Sequence, residues 1–136
     1  METRIIRVRD VMRTDIDIVD GSLTVAEVLG CMDTLSSRAV VVDKRDENDE
    51  YGFVLLEDIA RKVLAKDRSP ERVNIYEIMT KPALSVRSEM NIRYCARLFD
   101  KFGIRRAPVI DDGRVSGIVS YNDMVLKGLK ESLKLG

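Results

Sequence analysis

Two hydrophobic periods alternate along the chain, and the same alternation occurs twice. Val25, Val28, Leu29 and Met32 fall at i, i+3, i+4 and i+7, the face of a helix. Thr24 and Glu27 form a capping box ahead of that run, with Leu23 and Val28 placed as a hydrophobic staple. In the second half, Asn91 stands as a cap before Ile92, Cys95, Ala96 and Phe99, which repeat the stripe. Each predicted helix is followed by a short β-branched run, "AVVV" (39–42) and "PVI" (108–110), the pattern of buried strands. Asp112-Gly113 predicts a tight hairpin between "APVID" and "RVSGIVS". "GFVLLEDI" (52–59) and "GIVSYNDM" (117–124) then read as strands running into helices.

The repeat is explicit once the segments are aligned. "VRDVM" (8–12) resembles "IYEIM" (75–79), with Met12 and Met79 67 residues apart. The same offset relates "LTVAEVLGCMD" to "MNIRYCARLFD". A one-residue slip pairs "RAVVVD" with "RAPVID", so that Arg38 matches Arg106 and Ser37 matches Arg105. Three parts are expected: a first repeat over 8–66, a linker over 67–74 and a second repeat over 75–136. Within the linker, Ser69 and Pro70 predict one short helical turn. Neither half, at roughly 60 residues, should be stable alone, whereas two can share an apolar interface.

The first half replaces the Asp-Gly turn with "KRDENDE" (44–50). Asp46, Asn48 and Glu50 alternate as calcium ligands do, and Glu57 falls at the twelfth place. Tyr51, however, holds the sixth position, where such a loop needs glycine. An extended charged turn is expected there, and no metal site.

Composition narrows the function. The 136 residues carry 23 basic and 23 acidic side chains, so no field of either sign points to nucleic acid or a membrane surface. Arg4, Arg7 and Arg9, interleaved with apolar residues, read as the solvated face of a short extended segment. No apolar run approaches the ~18 residues of a membrane span, and the N-terminus lacks a secretory h-region. Cys31 and Cys95 lie far apart in apolar stripes and read as reduced core residues of a cytoplasmic protein. Histidine is absent, which removes the usual general base and every Ser-His or Cys-His arrangement. A catalyst is not expected.

The most specific chemistry lies in "SYND" (120–123). Ser120 at a helix start would present a hydroxyl and free N–H groups to a phosphate. Asp123, one turn further, has two acceptor oxygens suited to a ribose diol, and Asn122 adds an amide. The same S-x-x-D spacing is also a capping box, and one motif can serve both ends.

The doubled "V-x-x-V-M / I-x-x-I-M" starts, "FGIRRAPVID" and "GIVSYND", repeated in one order, resemble a tandem pair of cystathionine β-synthase (CBS) domains, or Bateman module, over about 8–129. The resemblance implies an α+β fold of two βαββα repeats packed with pseudo-two-fold symmetry, frequent disc-shaped dimers, and adenine nucleotides or other adenosyl ligands in the clefts. By the same resemblance Arg105 and Arg106 would meet phosphate, Thr80 and Leu84 would line the base pocket, and Ile104 would form an apolar wall. The first half departs from the pattern. Leu55 stands in place of Ser120 although Asp58 is kept, and Arg13 stands opposite Thr80. Arg38 and Asp58 therefore mark a weaker second cleft.

The expectation is a ligand-sensing regulatory module, binding AMP, ATP or another adenosyl ligand without catalysis, needing no cofactor, and acting on a separate protein or through its own assembly. The alternative is a ligand-free dimerisation or interaction scaffold. A homodimer is expected, with the two helix stripes as candidate contact faces.

Overall fold

A computed structural model describes residues 4–32 and 38–133. The chain forms two compact units, Ile16–Ala83 on one hand and Met1–Asp15 with Leu84–Gly136 on the other. A short helix, α1 (Val8–Val11), opens the chain and belongs to the second of these.

In the Ile16–Ala83 unit, β1 (Ile18–Val19) leads through α2 (Val25–Cys31) to β2 (Ala39–Val42), which β1 pairs in parallel. β3 (Gly52–Leu55) returns antiparallel, giving a three-stranded sheet in the order β1-β2-β3. The chain then enters α3 (Leu56–Ile59), continues through a π-helical turn (Ala60–Leu64), and later makes a 3-10 turn (Ile75–Glu77). The Thr24 hydroxyl accepts from Glu27 N, and the Glu27 carboxylate accepts from Thr24 N, so the expected capping box forms. Val25, Val28, Val40, Val54 and Ile75 are buried in one core.

The second unit repeats this plan. Its helix α4 (Ile92–Phe102) is capped by Asn91 and ends at Gly103, whose φ of 65° is the left-handed geometry glycine adopts without penalty. β4 (Arg106–Asp111) and β5 (Arg114–Ser120) form a hairpin. Asp112 and Gly113 take φ of 50° and 77°, as the Asp-Gly signal requires. Val86 bridges Val109 in parallel, as β1 meets β2 in the other unit. After β5, α5 (Tyr121–Asp123), a π-helical turn (Met124–Leu129) and α6 (Lys130–Ser132) follow in unbroken succession. Val11, Cys95, Phe99, Val109 and Val119 build the core, and the Phe99 and Tyr121 rings meet edge to face at 5.3 Å.

The two start segments are exchanged between the halves. Val8 N donates to Met90 O and Ile92 N to Ile6 O, so the opening "VRDVM" docks at the start of α4. Ile75 N donates to Leu23 O and Val25 N to Val73 O, so "IYEIM" docks at the start of α2. Beyond these starts, Arg13 exchanges main-chain hydrogen bonds with Ile118 of β5, and Thr80 does so with Phe53 of β3.

Several local expectations need correcting. Arg9 lies within α1 rather than on an extended segment, and Arg7, extended and bridged to Asn91 ahead of α1, donates its guanidinium to Glu89 O at 2.7 Å. Ser69–Arg72 is a hydrogen-bonded turn rather than a helical one. Cys31, the last residue of α2, is exposed, and only Cys95 is in a core. The helix stripes face only partly inward: Val25, Val28, Cys95 and Phe99 are fully buried in their own units, whereas Leu29 is exposed and Met32, Ile92 and Ala96 are half-buried. "KRDENDE", by contrast, forms the expected charged turn, tied by Asp49, whose carboxylate takes Lys81 Nζ at 2.7 Å and Arg45 Nε at 3.1 Å.

Candidate functional site

Strand register decides which side chains share a face. Arg106 pairs with Ser120 across β4 and β5, and Ala39 pairs with Leu55 across β2 and β3. Directly opposed residues of an antiparallel pair project to the same side. Arg106 therefore shares a face with Ser120, and Arg105, its exposed neighbour, does not. The residue equivalent to Arg106 is Ala39, not Arg38. Consistently, Tyr121 N donates to Arg105 O as Leu56 N donates to Arg38 O. The one-residue slip inferred from "RAVVVD" and "RAPVID" is thus overturned: Arg38 is the counterpart of Arg105. Ser37, which the slip matched to Arg105, lies outside the described residues.

At the end of β5 the capping box forms in full. The Ser120 hydroxyl accepts from Asp123 N at 3.2 Å and donates to Asp123 Oδ2 at 2.9 Å. Ser120 N also donates to Oδ2, at 3.2 Å. Asp123 is only 5% exposed, yet its other oxygen, Oδ1, accepts no hydrogen bond among the described residues. Arg13 Nε and Lys127 Nζ each stand 3.7 Å from Oδ1, close enough for charge attraction but beyond hydrogen-bond length. One carboxylate oxygen is therefore fixed by the cap, and the other has unused acceptor capacity beside two cations.

The corresponding carboxylate in the other unit is closed. Asp58, also 5% exposed, takes Leu55 N on Oδ2 at 2.8 Å and Arg61 Nη2 on Oδ1 at 2.8 Å. Leu55 offers no hydroxyl, and Lys62, one turn after Asp58, turns away to Ile78 O at 3.0 Å.

Among the other expected site residues, Ile104 is half-buried against the second core and Leu84 is half-buried where that unit resumes. Asn122 is exposed beside Asp123. Thr80 belongs to the other unit, with Arg38 and Asp58. Sequence reasoning missed Lys127 and misplaced Arg13, which it counted against the cleft of the first half and which lies beside Asp123. Arg13 carried a usable signal, a cation where the second start has Thr80.

The CBS domain matches this chain twice, over residues 8–65 and 75–129, and the chain belongs to the CBS-domain family as a tandem pair. Its mixed helices and strands are those of two CBS repeats of α+β class. A hexameric CBS-CP12 protein from bloom-forming cyanobacteria is 36% identical, with a TM-score of 0.88 over 93% of this chain and 73% of that one. The CBS domain pair of protein MJ0100, solved with 5′-methylthioadenosine and S-adenosyl-L-methionine, is 25% identical, with a TM-score of 0.76 over 90% of this chain and 95% of that one. The uncharacterized protein MK0525 of Methanopyrus kandleri is 32% identical over 87 residues, 63% of this chain. The chain spans 43% of MK0525 and 59% of the related protein MJ0450 of Methanocaldococcus jannaschii. CBS pairs as a class are regulatory ligand-binding modules. No helix among the described residues is long and apolar enough to cross a membrane.

Proposed function

We propose that this CBS pair is a ligand sensor that takes an adenine nucleotide at the Ser120–Asp123 end of β5 and signals by binding, without catalysis. One observation carries the reading: a nearly buried carboxylate, Asp123, is oriented through Oδ2 while Oδ1 keeps acceptor capacity, and Arg106 shares the face of Ser120. A ribose hydroxyl can donate to such an oxygen, and a guanidinium fork suits phosphate. The adenosyl compounds in the MJ0100 pair support the class of ligand.

The ligand-free scaffold reading has its own support. The Ser120 hydroxyl is engaged as both donor and acceptor in the cap, so a phosphate would have to draw it away from Asp123. Isothermal titration of the purified chain with AMP, ATP and adenosine separates the two. Saturable binding at about one site per chain supports the sensor, and no heat with any of them leaves the scaffold.

The sensor acts in the cytoplasm on a separate protein or through its own assembly, and the chain pairs with a copy of itself. Val125, Leu126 and Leu129, exposed after β5, offer a contact face besides the exposed part of the first helix stripe, Leu29. Light scattering that returned 15.4 kDa at working concentration would exclude the homodimer.

A further inference from the structure

The two repeats keep the same carboxylate but surround it with different charge. In the unit of Asp123, Arg13 reaches Oδ1 and Arg106 stands opposite Ser120. The equivalent positions in the other unit hold Thr80 and Ala39, and Asp58 is neutralised by Arg61 in direct contact. Lysine follows both carboxylates by one turn, as Lys127 and as Lys62.

Arg13 is held there by its main chain. Its N–H donates to Ile118 O at 2.8 Å, and its carbonyl accepts from Ile118 N at 3.0 Å. The side chain is 43% exposed, and its contact with Asp123 is a 3.7 Å approach without a hydrogen bond. A pair so open to water is weak, and among the described residues the guanidinium donates no hydrogen bond, which leaves its N–H groups for another acceptor. With Lys127 on the same oxygen, the surroundings of Asp123 carry an excess of positive charge.

We propose that Arg13 is a specificity-determining residue that sets the charge of the ligand accepted beside Asp123. It favours a phosphorylated adenosine over the neutral nucleoside, and disfavours a sulfonium such as S-adenosylmethionine. The proposal rests on the nucleotide reading of the Asp123 site. The adenosine moiety meets Asp123, and the phosphate meets the cations that Asp123 leaves unneutralised. A neutral ligand gains only the first contact, and a cationic one brings like charge toward Arg13 and Lys127.

The test titrates the wild type, Arg13→Gln and Arg13→Lys with AMP, adenosine and S-adenosylmethionine, with thermal unfolding of each protein recorded beside it. The wild type is expected to prefer AMP to adenosine by about tenfold, the discrimination one charge-assisted contact provides. Arg13→Gln is expected to lose most of that preference by weakening AMP while adenosine stays within about twofold, and to bind S-adenosylmethionine better than the wild type does. Arg13→Lys keeps the charge and most of the preference, though not the fork. Added salt weakens AMP binding to the wild type more than to Arg13→Gln. Equal losses of AMP and adenosine in Arg13→Gln, or an unchanged ratio between them, overturn the assignment and leave the nucleotide site standing. A wild type that binds none of the three ligands overturns that site and the role of Arg13 together.

Discussion

Gly117 lies directly against the main chain of Arg13: a Cβ on the glycine would stand 2.5 Å from the Arg13 carbonyl oxygen and 3.0 Å from Met12 Sδ. That carbonyl accepts from Ile118 N, so the missing side chain is what lets the opening segment lie on β5. Gly117→Ala should therefore destabilise the protein by ~1–3 kcal/mol, the usual cost of overpacking. Gly30 is the control. It lies in α2, and an added Cβ would meet nothing within 4 Å among the described residues, so Gly30→Ala should be neutral or stabilise by up to ~1 kcal/mol. Urea unfolding of both variants checks the pair, and equal effects would remove the steric argument.

Asp49 ties the charged turn of the first repeat to Lys81. The Lys81 ammonium, followed by hydrogen bonds from Arg45, holds the Asp49 carboxyl well below its usual range. A depressed carboxylate contributes stability that is full above its unfolded value, near 3.8, and is lost as pH falls through the folded one. Asp49→Asn should therefore lower the melting temperature by a constant amount from pH 5 upward. The difference from wild type should shrink as the pH is taken below 3.8. A difference that grew on acidification would contradict the clamp.

The cysteines should differ sharply in reactivity. Cys95 is buried on the inner face of α4, and burial pushes its thiol up to about 11, so its thiolate is scarce at pH 8. Cys31 is exposed at the end of α2. A thiol reagent at pH 8 should label Cys31 rapidly in the native protein and Cys95 only after denaturation. Mass spectrometry of the labelled peptides reads this directly, and fast native labelling of Cys95 would show that its core opens.

Much of this architecture was legible because it is local. The capping pairs at Thr24 and Asn91, the Asp112-Gly113 turn and the strand-to-helix junctions are each decided by residues a few positions apart. The exchange of the start segments was not legible. "VRDVM" and "IYEIM" are alike, so periodicity cannot say which half each one joins, and the decisive partners, Gly52 and Gly117, act by having no side chain. The register of the basic residues was misread for a related reason. Arg-Ala precedes the strand core in both halves, but pairing holds Ala39 against Leu55 and Arg106 against Ser120. The two-residue difference is taken up later, in the longer charged turn of the first repeat. The cap reading and the ligand reading of "SYND" share one geometry, so sequence alone could not divide them.

Asp123 and Asp58 give the division its experiment. Both carboxylates take a main-chain N–H at the start of the following helix, so removing either costs a cap, about 0.5–2 kcal/mol of folding free energy. Their other oxygens differ. Asp58 Oδ1 is occupied by Arg61 at 2.8 Å, whereas Asp123 Oδ1 has no hydrogen bond among the described residues. If AMP binds beside Asp123, Asp123→Ala should weaken it roughly ten- to a hundredfold, the ~1.5–3 kcal/mol of a charged hydrogen bond. Asp58→Ala should leave AMP binding close to wild type, because Leu55 supplies no hydroxyl there and Arg61 already holds Oδ1 at 2.8 Å. Thermal unfolding recorded with each titration separates lost cap from lost contact: both variants should melt lower, but only one should bind worse. Equal affinity losses in the two variants, or full AMP affinity in Asp123→Ala, would reduce "SYND" to a helix cap and favour the scaffold reading.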